Sequence, residues 1–396
     1  MSPEITTIAH HRRGGGRAWL GAVPRLSQFA VEHLLLLPLG AVIAMVWVNV
    51  QPESYYQFTY GIAFAVNDVG MALFFALMTK EVVEATVPGG VLHPWRRALM
   101  PVMAAIGATI LPALILGPIV GLLDEPVLVI GWPVVLATDL AVSYFAARLI
   151  FRQHAGVPFL LLLAIASDGF GFVALAVLNA TRDLHLGLGA VILIAAIGVA
   201  AGLRRARVTS FWPYLLGAGG LSWYALFWSG LHPALALVPV MPFLPHAGRD
   251  PGFFVDAPAD ARDTLSRFEI WWRYPAQVAL FFFGLVNAGV PLGALEPGTL
   301  GVPIAVIVGK PIGILIGAGI AVGAGLHLPQ RVGWRELVVI GLLAAVGFSV
   351  GLFFSAALLP PGQLRSETSM GVLLTLAAAP LALLLARLLG VGRFGR

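Results

Sequence analysis

The chain places two acids and one amine inside stretches that are otherwise apolar. Thr138-Asp139 lies in one hydrophobic run and Ser167-Asp168 in the next, within residues 136–171. Each acid sits about ten residues from either end of its run, which at about 1.5 Å rise per residue is near the middle of a bilayer. An ionised carboxylate in hydrocarbon is costly, so such a residue is by default a candidate for function. Asp168, in Ala166-Ser167-Asp168-Gly169-Phe170-Gly171, has nothing on its own helix to neutralise it. It must therefore be protonated, ion-bound or paired across helices. Acids in two consecutive spans point to ion binding or transport, with the hydroxyls of Thr138 and Ser167 as neutral oxygens for a hard cation.

Lysine occurs only at Lys80 and Lys310, against twenty-two arginines. Lys80 falls near the end of an apolar run, where a snorkelling side chain is expected. Lys310, in Val308-Gly309-Lys310-Pro311-Ile312-Gly313, is too deep for that. Arginine stays charged at such depth, whereas a buried lysine can release its proton, so Lys310 is a charge-compensating or proton-carrying candidate. Its Gly-Lys is not a phosphate loop, because the glycine needed five residues before Gly309 is Ile304. Two readings of Asp139 stand side by side. A helix interrupted at Thr138-Asp139 exposes backbone ends that need compensating charge, and Asp139 either supplies that charge or binds the cation. Gly347-Phe348-Ser349-Val350-Gly351 is a matching candidate for a second break, with Ser349 inside it.

Further polar positions lie towards the membrane faces. Asn67 and Asp68 fall in the outer half of the second run, and Glu81, beside Lys80, is placed to line an access funnel. Glu84 reads as a solvated helix end and Asn287 as a capping or hydrogen-bonding residue near the outer end of the ninth run. His232, before Pro233, falls at an external turn where it is a candidate pH-sensing group.

These residues need helices to hold them. The chain is 59% hydrophobic and 11% charged, where a soluble domain carries about 25% charge. An all-α polytopic membrane protein follows. Apolar runs of spanning length fall at about 29–50, 60–83, 98–122, 127–149, 158–180, 187–203, 212–228, 231–245, 270–292, 302–323, 336–359 and 369–391. That is about twelve transmembrane helices, the eighth short. With the N-terminus in the cytoplasm, every arginine but Arg182 and Arg365 falls on the cytoplasmic side, which places both termini there. Residues 1–26 are expected to form a flexible cytoplasmic tail and 27–396 a single transmembrane domain, with its longest loop, about 246–269, in the cytoplasm. A net charge of +5 spread over loops is no nucleic-acid signal, and the absence of cysteine excludes disulfides, Fe–S and Cys-zinc sites. No zinc-protease, nucleophile-elbow or dinucleotide motif is present, so neither an enzyme nor a cofactor is expected. The glycines of 317–325 read as helix packing.

At these residues the chain resembles the NhaA-type bacterial Na+/H+ antiporters. The matching pieces come in that family's order. They begin with Asn67-Asp68 and Met71-Ala72-Leu73-Phe74-Phe75, then Pro101-Val102 through Ala105-Ile106-Gly107, Ala137-Thr138-Asp139, and Leu163-Ala164-Ile165 with Asp168. Ser229-Gly230-Leu231-His232, Asn287-Ala288-Gly289-Val290, Gly309-Lys310-Pro311-Ile312-Gly313 and Gly347-Phe348-Ser349 follow. The resemblance spans roughly residues 30–360. It implies inverted repeats with interrupted, crossed helices 4 and 11, and exchange of Na+ or Li+ for protons across a bacterial inner membrane in the service of pH homeostasis.

The chain departs from that family in three places. Its adjacent Asp-Asp pair is Ser167-Asp168 here, so the carboxylate expected to pair with the lysine is missing. Val83 and Glu84 stand where the family has Lys and Arg after the glutamate. The link between the first two spans is short for the family's dimer-forming β-hairpin, although a second copy of the chain stays a candidate partner. One carboxylate trading Na+ for H+ predicts electroneutral exchange, unless Lys310 carries a second proton. Two other functions fit the same scaffold: Na+- or H+-coupled transport of another solute such as an organic anion, and a non-transporting sensor or subunit.

Overall fold

The computed structural model describes residues 36–86, 96–124, 126–152, 154–179, 186–246, 263–329 and 331–395. The expected tail at 1–26, most of the 246–269 loop and Arg182 lie outside them. All regular structure among the described residues is helical. Six helices are long and apolar enough to cross a membrane, or seven if a bent pair, Trp334–Ala344 and Phe348–Leu358, counts as one span. Apolar side chains such as Val46, Ile194, Ile320 and Leu384 are exposed on the outside, as a lipid-facing surface requires.

In chain order, α1 is Leu36–Val50; α2, Pro52–Phe64, runs through a π-helical turn at Ala65–Gly70 into α3, Met71–Thr86. The helix α4, Arg96–Leu122, is followed by a 3-10 helix, Pro126–Leu136, and then α5, Leu140–Phe151. Next come α6 (Gly156–Asn179), α7 (Leu186–Arg205) and α8 (Gly220–Ser229), then α9 (Thr264–Asn287) and α10 (Gly301–Gly323). The chain ends with α11 (Trp334–Ala344), α12 (Phe348–Leu358), α13 (Gln363–Leu374) and α14 (Ala378–Leu389).

Two expectations need correcting. The eighth apolar run, 231–245, forms only short 3-10 turns at Pro233–Leu235 and Met241–Phe243. Pro233, Pro239, Pro242 and Pro245 each remove an amide donor, and at that density the run makes short turns instead of one long helix. The ninth span starts earlier than its hydropathy suggests. The Asp263 carboxylate accepts from Ser266 N at 3.0 Å and caps α9 at Thr264, which brings the charged stretch around Glu269 into the helix.

Glycine sets how close α4 and α10 lie. A Cβ on Gly107 would overlap the Gly313 carbonyl oxygen, and one on Gly313 would overlap that of Gly107. Gly317 meets Met103 in the same way, so it packs as expected, whereas Gly319 and Gly323 face open space. One turn further in, a Cβ on Gly341 would strike Pro311, so α11 is pressed against α10 beside Lys310. Gly313→Ala should therefore push α10 off α4 and cost about 1–3 kcal/mol, the usual penalty for overpacking. A lowered melting temperature in detergent, against an unchanged Gly319→Ala control, is the expected result.

Candidate cation site at two helix breaks

Two apolar helical stretches are interrupted, and the breaks lie against each other. Between the 3-10 helix ending at Leu136 and α5, the stretch Ala137-Thr138-Asp139 is non-helical; between α11 and α12 the chain bends by 46° at residues 345–347. Asp139 N donates to Val346 O at 2.6 Å, joining them directly. Ser143 Oγ donates to Leu343 O at 2.7 Å, and Thr375 Oγ1 accepts from Gly347 N at 3.0 Å. These side chains satisfy backbone groups that each break leaves open.

The four exposed helix ends are sorted by charge. Asp139, fully buried, accepts from Val142 N at 2.7 Å through Oδ1 and from Ser349 N at 2.8 Å through Oδ2. Those amides open α5 and α12, so one carboxylate caps two helix N-termini, where the peptide dipoles place partial positive charge. Lys310, equally buried, donates to Leu136 O at 3.2 Å, to Ala137 O, to Ala344 O at 3.0 Å and to Thr138 Oγ1 at 2.9 Å. The carbonyls are those left over where the 3-10 helix and α11 end, so one ammonium serves two C-termini. Both oxygens of Asp139 are thus engaged at helix ends.

Asp168, on α6, meets this junction from the side. Its Oδ1 accepts from Thr138 N at 3.1 Å. Thr138 thus stands between the acid and the amine, its amide on Asp168 and its hydroxyl on Lys310. No carboxylate lies within ion-pair distance of Lys310 among the described residues. Asp168 is half-buried and lines a cavity of about 250 Å³ that runs past Ser349 to Met78, Thr79 and Val82 on α3. Ser167 is fully buried, and its hydroxyl has no hydrogen-bond partner among the described residues.

The remaining candidates sit elsewhere. Glu81 does not line that cavity. It belongs to a buried cluster in which Lys80, 1% exposed, lies 3.4 Å from Glu81, 2.7 Å from Glu84 and 2.7 Å from Glu269 of α9. Lys80 is therefore no snorkelling side chain and Glu84 no solvated helix end, because the longer α9 supplies a wall that covers both. Sequence reasoning missed Glu269 for the same reason, since nothing in its own stretch of chain points to Lys80. Asn67 and Asn287 pair, Asn287 Nδ2 donating to Asn67 Oδ1 at 2.7 Å, and Arg365 Nη2 donates to Asn287 Oδ1 at 3.1 Å. His232 Nδ1 accepts from Ala234 N at 3.3 Å and lies 3.9 Å from the Asp68 carboxylate, too far to hydrogen-bond. Its imidazole packs on Phe353 with 4.8 Å between ring centroids. None of these outer groups touches the two breaks.

An all-helical membrane protein with two abutting helix interruptions, their ends neutralised by one acid and one amine, is the architecture of a secondary transporter. The family model for Na+/H+ antiporter 1 matches residues 27–387, and the chain belongs to that family. A protein named Na(+)/H(+) antiporter NhaA from Desulfitobacterium hafniense is 40% identical over 378 residues, covering 92% of this chain and 96% of the relative. One named Na(+)/H(+) antiporter NhaA 1 from Pelobacter propionicus is 37% identical over 371 residues, covering 91% and 97%. The solved sodium proton antiporter MjNhaP1 of Methanocaldococcus jannaschii superposes with a TM-score of 0.60 at 16% identity, covering 96% of this chain and 97% of that one. That last likeness is one of fold.

Proposed function

We propose that this chain is a secondary antiporter that exchanges Na+ or Li+ for protons, with Asp168 as the site where the two compete. The observation that carries it is a carboxylate at membrane depth, beside two helix breaks and opening into a cavity. Ionised, Asp168 binds a hard monovalent cation; protonated, it is neutral and lets the cation go. Thr138 donates its amide to the ionised form, and Ser167, Thr138 and Ser349 are the neighbouring hydroxyls that complete a ligand set. Asp139 and Lys310 hold the helix ends, so a cation entering the junction meets a preset field rather than loose dipoles. The reaction is transport, with no chemical conversion of what is carried.

The setting proposed with it is a bacterial inner membrane, lipid all round, both termini cytoplasmic, a role in pH homeostasis, and a homodimer as the assembly to test. The organic-anion alternative is disfavoured by the cavity lining, which has one acid and no basic residue to meet an anion. Purified protein in liposomes carrying an internal pH dye tests the proposal. Na+ and Li+ pulses should move protons while K+ does not. Labelled Na+ uptake that rises only when an organic anion is added would replace antiport by cotransport, and a flat response to every cation would leave a non-transporting role.

A further inference from the structure

The helices sort by their packing into two groups, and the cavity lies on the line between them. One group holds α1, α2, α3, α7, α8 and α9, linked through the turns at Pro233–Leu235 and Met241–Phe243. The other holds the 3-10 helix at Pro126–Leu136 with α4 to α6 and α10 to α14, and α9 lies beside α12 across the divide. Phe75, Met78 and Leu280 line the cavity from the first group, and Asp168, Phe172 and Ser349 from the second. One end of the cavity runs along α3 past Thr79 to Val82. Aromatic rings from both groups stop the other end. Phe75 lies 4.7 Å from Phe172 and 4.9 Å from Phe353 between ring centroids, and Phe353 lies 4.8 Å from His232. Asp168 can face that side only if the two groups shift against each other.

The polar contacts at the breaks, made by Asp139, Ser143, Asp168, Lys310 and Thr375, lie inside the second group. The Lys80 cluster lies inside the first. Arg365 of α13 crosses the divide: its Nη2 donates to Asn287 Oδ1, at the end of α9, at 3.1 Å. This happens at the aromatic end, because Asn287 pairs with Asn67 and the next residue, Asp68, faces His232. Asn287 is held in place to receive it. Its Nδ2 donates to Asn67 Oδ1 at 2.7 Å and to Phe283 O at 3.0 Å, which leaves its oxygen turned to the guanidinium. No carboxylate lies within ion-pair distance of Arg365 among the described residues. A charged donor on a neutral amide is a firm bond, yet water can replace the amide when the groups part, and residues 360–363 beside Arg365 are exposed.

We propose that Arg365 is the latch of the closed end: its bond to Asn287 ties the two helix groups together on the His232 side and must break before Asp168 can open there. The stacked rings part without losing a directed bond, whereas the guanidinium gives one up, so Arg365 biases the site towards the Lys80 side. It touches no cation and acts as a positioning residue. This deepens the antiport reading and rests on it.

The chain has no cysteine, so an introduced thiol reports alone. Gly169 lines the cavity and a Cβ on it would meet open space, which makes Gly169→Cys an unstrained reporter. A membrane-impermeant maleimide should label it in vesicles from the Lys80 side and scarcely from the Arg365 side. Adding Arg365→Met should raise labelling from the Arg365 side about tenfold, the shift that one lost hydrogen bond to a charged group brings to a two-state balance, and lower it from the other. A second measurement joins the groups. With Arg365→Cys and Asn287→Cys together, a short cleavable thiol cross-linker should stop Na+-driven proton movement, and reductant should restore it. The same cross-linker between Asn67→Cys and Asn287→Cys, inside one group, should leave the rate as it was before cross-linking. Labelling that Arg365→Met leaves unchanged, or raises equally from both sides, overturns the latch, as does exchange that continues with positions 287 and 365 joined. Antiport then still stands. A side-specific labelling shift in a chain that moves no protons with Na+ supports the latch and fails the antiport reading.

Discussion

Asp168→Asn is expected to abolish Na+-driven proton movement, to the level of protein-free liposomes, in a protein that melts at or above its normal temperature. An asparagine side chain presents an oxygen to the cavity and still accepts from Thr138 N, so the contact that ties α6 to the first break survives. What it cannot do is ionise. A neutral amide holds a cation less strongly than a carboxylate, and it has no second state in which the proton takes the cation's place. Removing a half-buried charge from hydrocarbon relieves a cost, so stability should not fall. Asp168→Glu keeps a titratable group on a longer arm and should slow exchange without ending it. Internal-pH fluorescence with Na+ pulses reads the first effect and a thermal melt in detergent the second. If Asp168→Asn exchanged Na+ for protons at an ordinary rate, the competing site would have to be another residue.

The largest loss of stability is expected at Lys310→Met. Methionine fills the space but has no donor, and four oxygens lose their partner at once. Three of them are backbone carbonyls at two converging helix C-termini, where peptide dipoles leave partial negative charge. Asp139 then stands beside them with no opposite charge nearby. Breaking a buried charge arrangement by deleting one member costs about 3–5 kcal/mol. The apparent Tm should fall on the order of 10 °C, taking the shift per kcal/mol seen for larger domains. Lys310→Arg keeps the charge, but its planar fork does not match four acceptors gathered around a point, so an intermediate melt is expected. A Lys310→Met protein that melted with the unaltered chain would show that the helix ends do not depend on this ammonium.

Much of this was readable before any coordinates. Depth is a local property: an acid ten residues into an apolar run is near mid-membrane whatever its neighbours do, which is why Asp139, Asp168 and Lys310 stood out. The breaks at Thr138-Asp139 and Gly347-Phe348-Ser349 were legible for the same reason, since polar and glycine residues weaken a helix where they lie. The cap that starts α9 at Asp263 was written in the chain too, but hydropathy hides a helix turn that carries charge.

What each charge faces was decided by packing. The bonds from Lys310 to Leu136 and Ala137 join residues 174 and 173 positions apart, and no pattern of spacing encodes that meeting. Glycines on α4, α10 and α11 bring three backbones close enough for one amine to reach two helix ends. Lys80 and Glu269 are 189 positions apart, so a lysine that looks solvated by its position in a run turns out to be enclosed by three acids. Sequence alone determined the all-helical class, which apolar runs carry the charges and the family likeness, because these follow from local hydropathy and order. Which charge serves the helix ends and which is left facing the cavity belongs to the tertiary structure, because a charge's partner is set by distance in space.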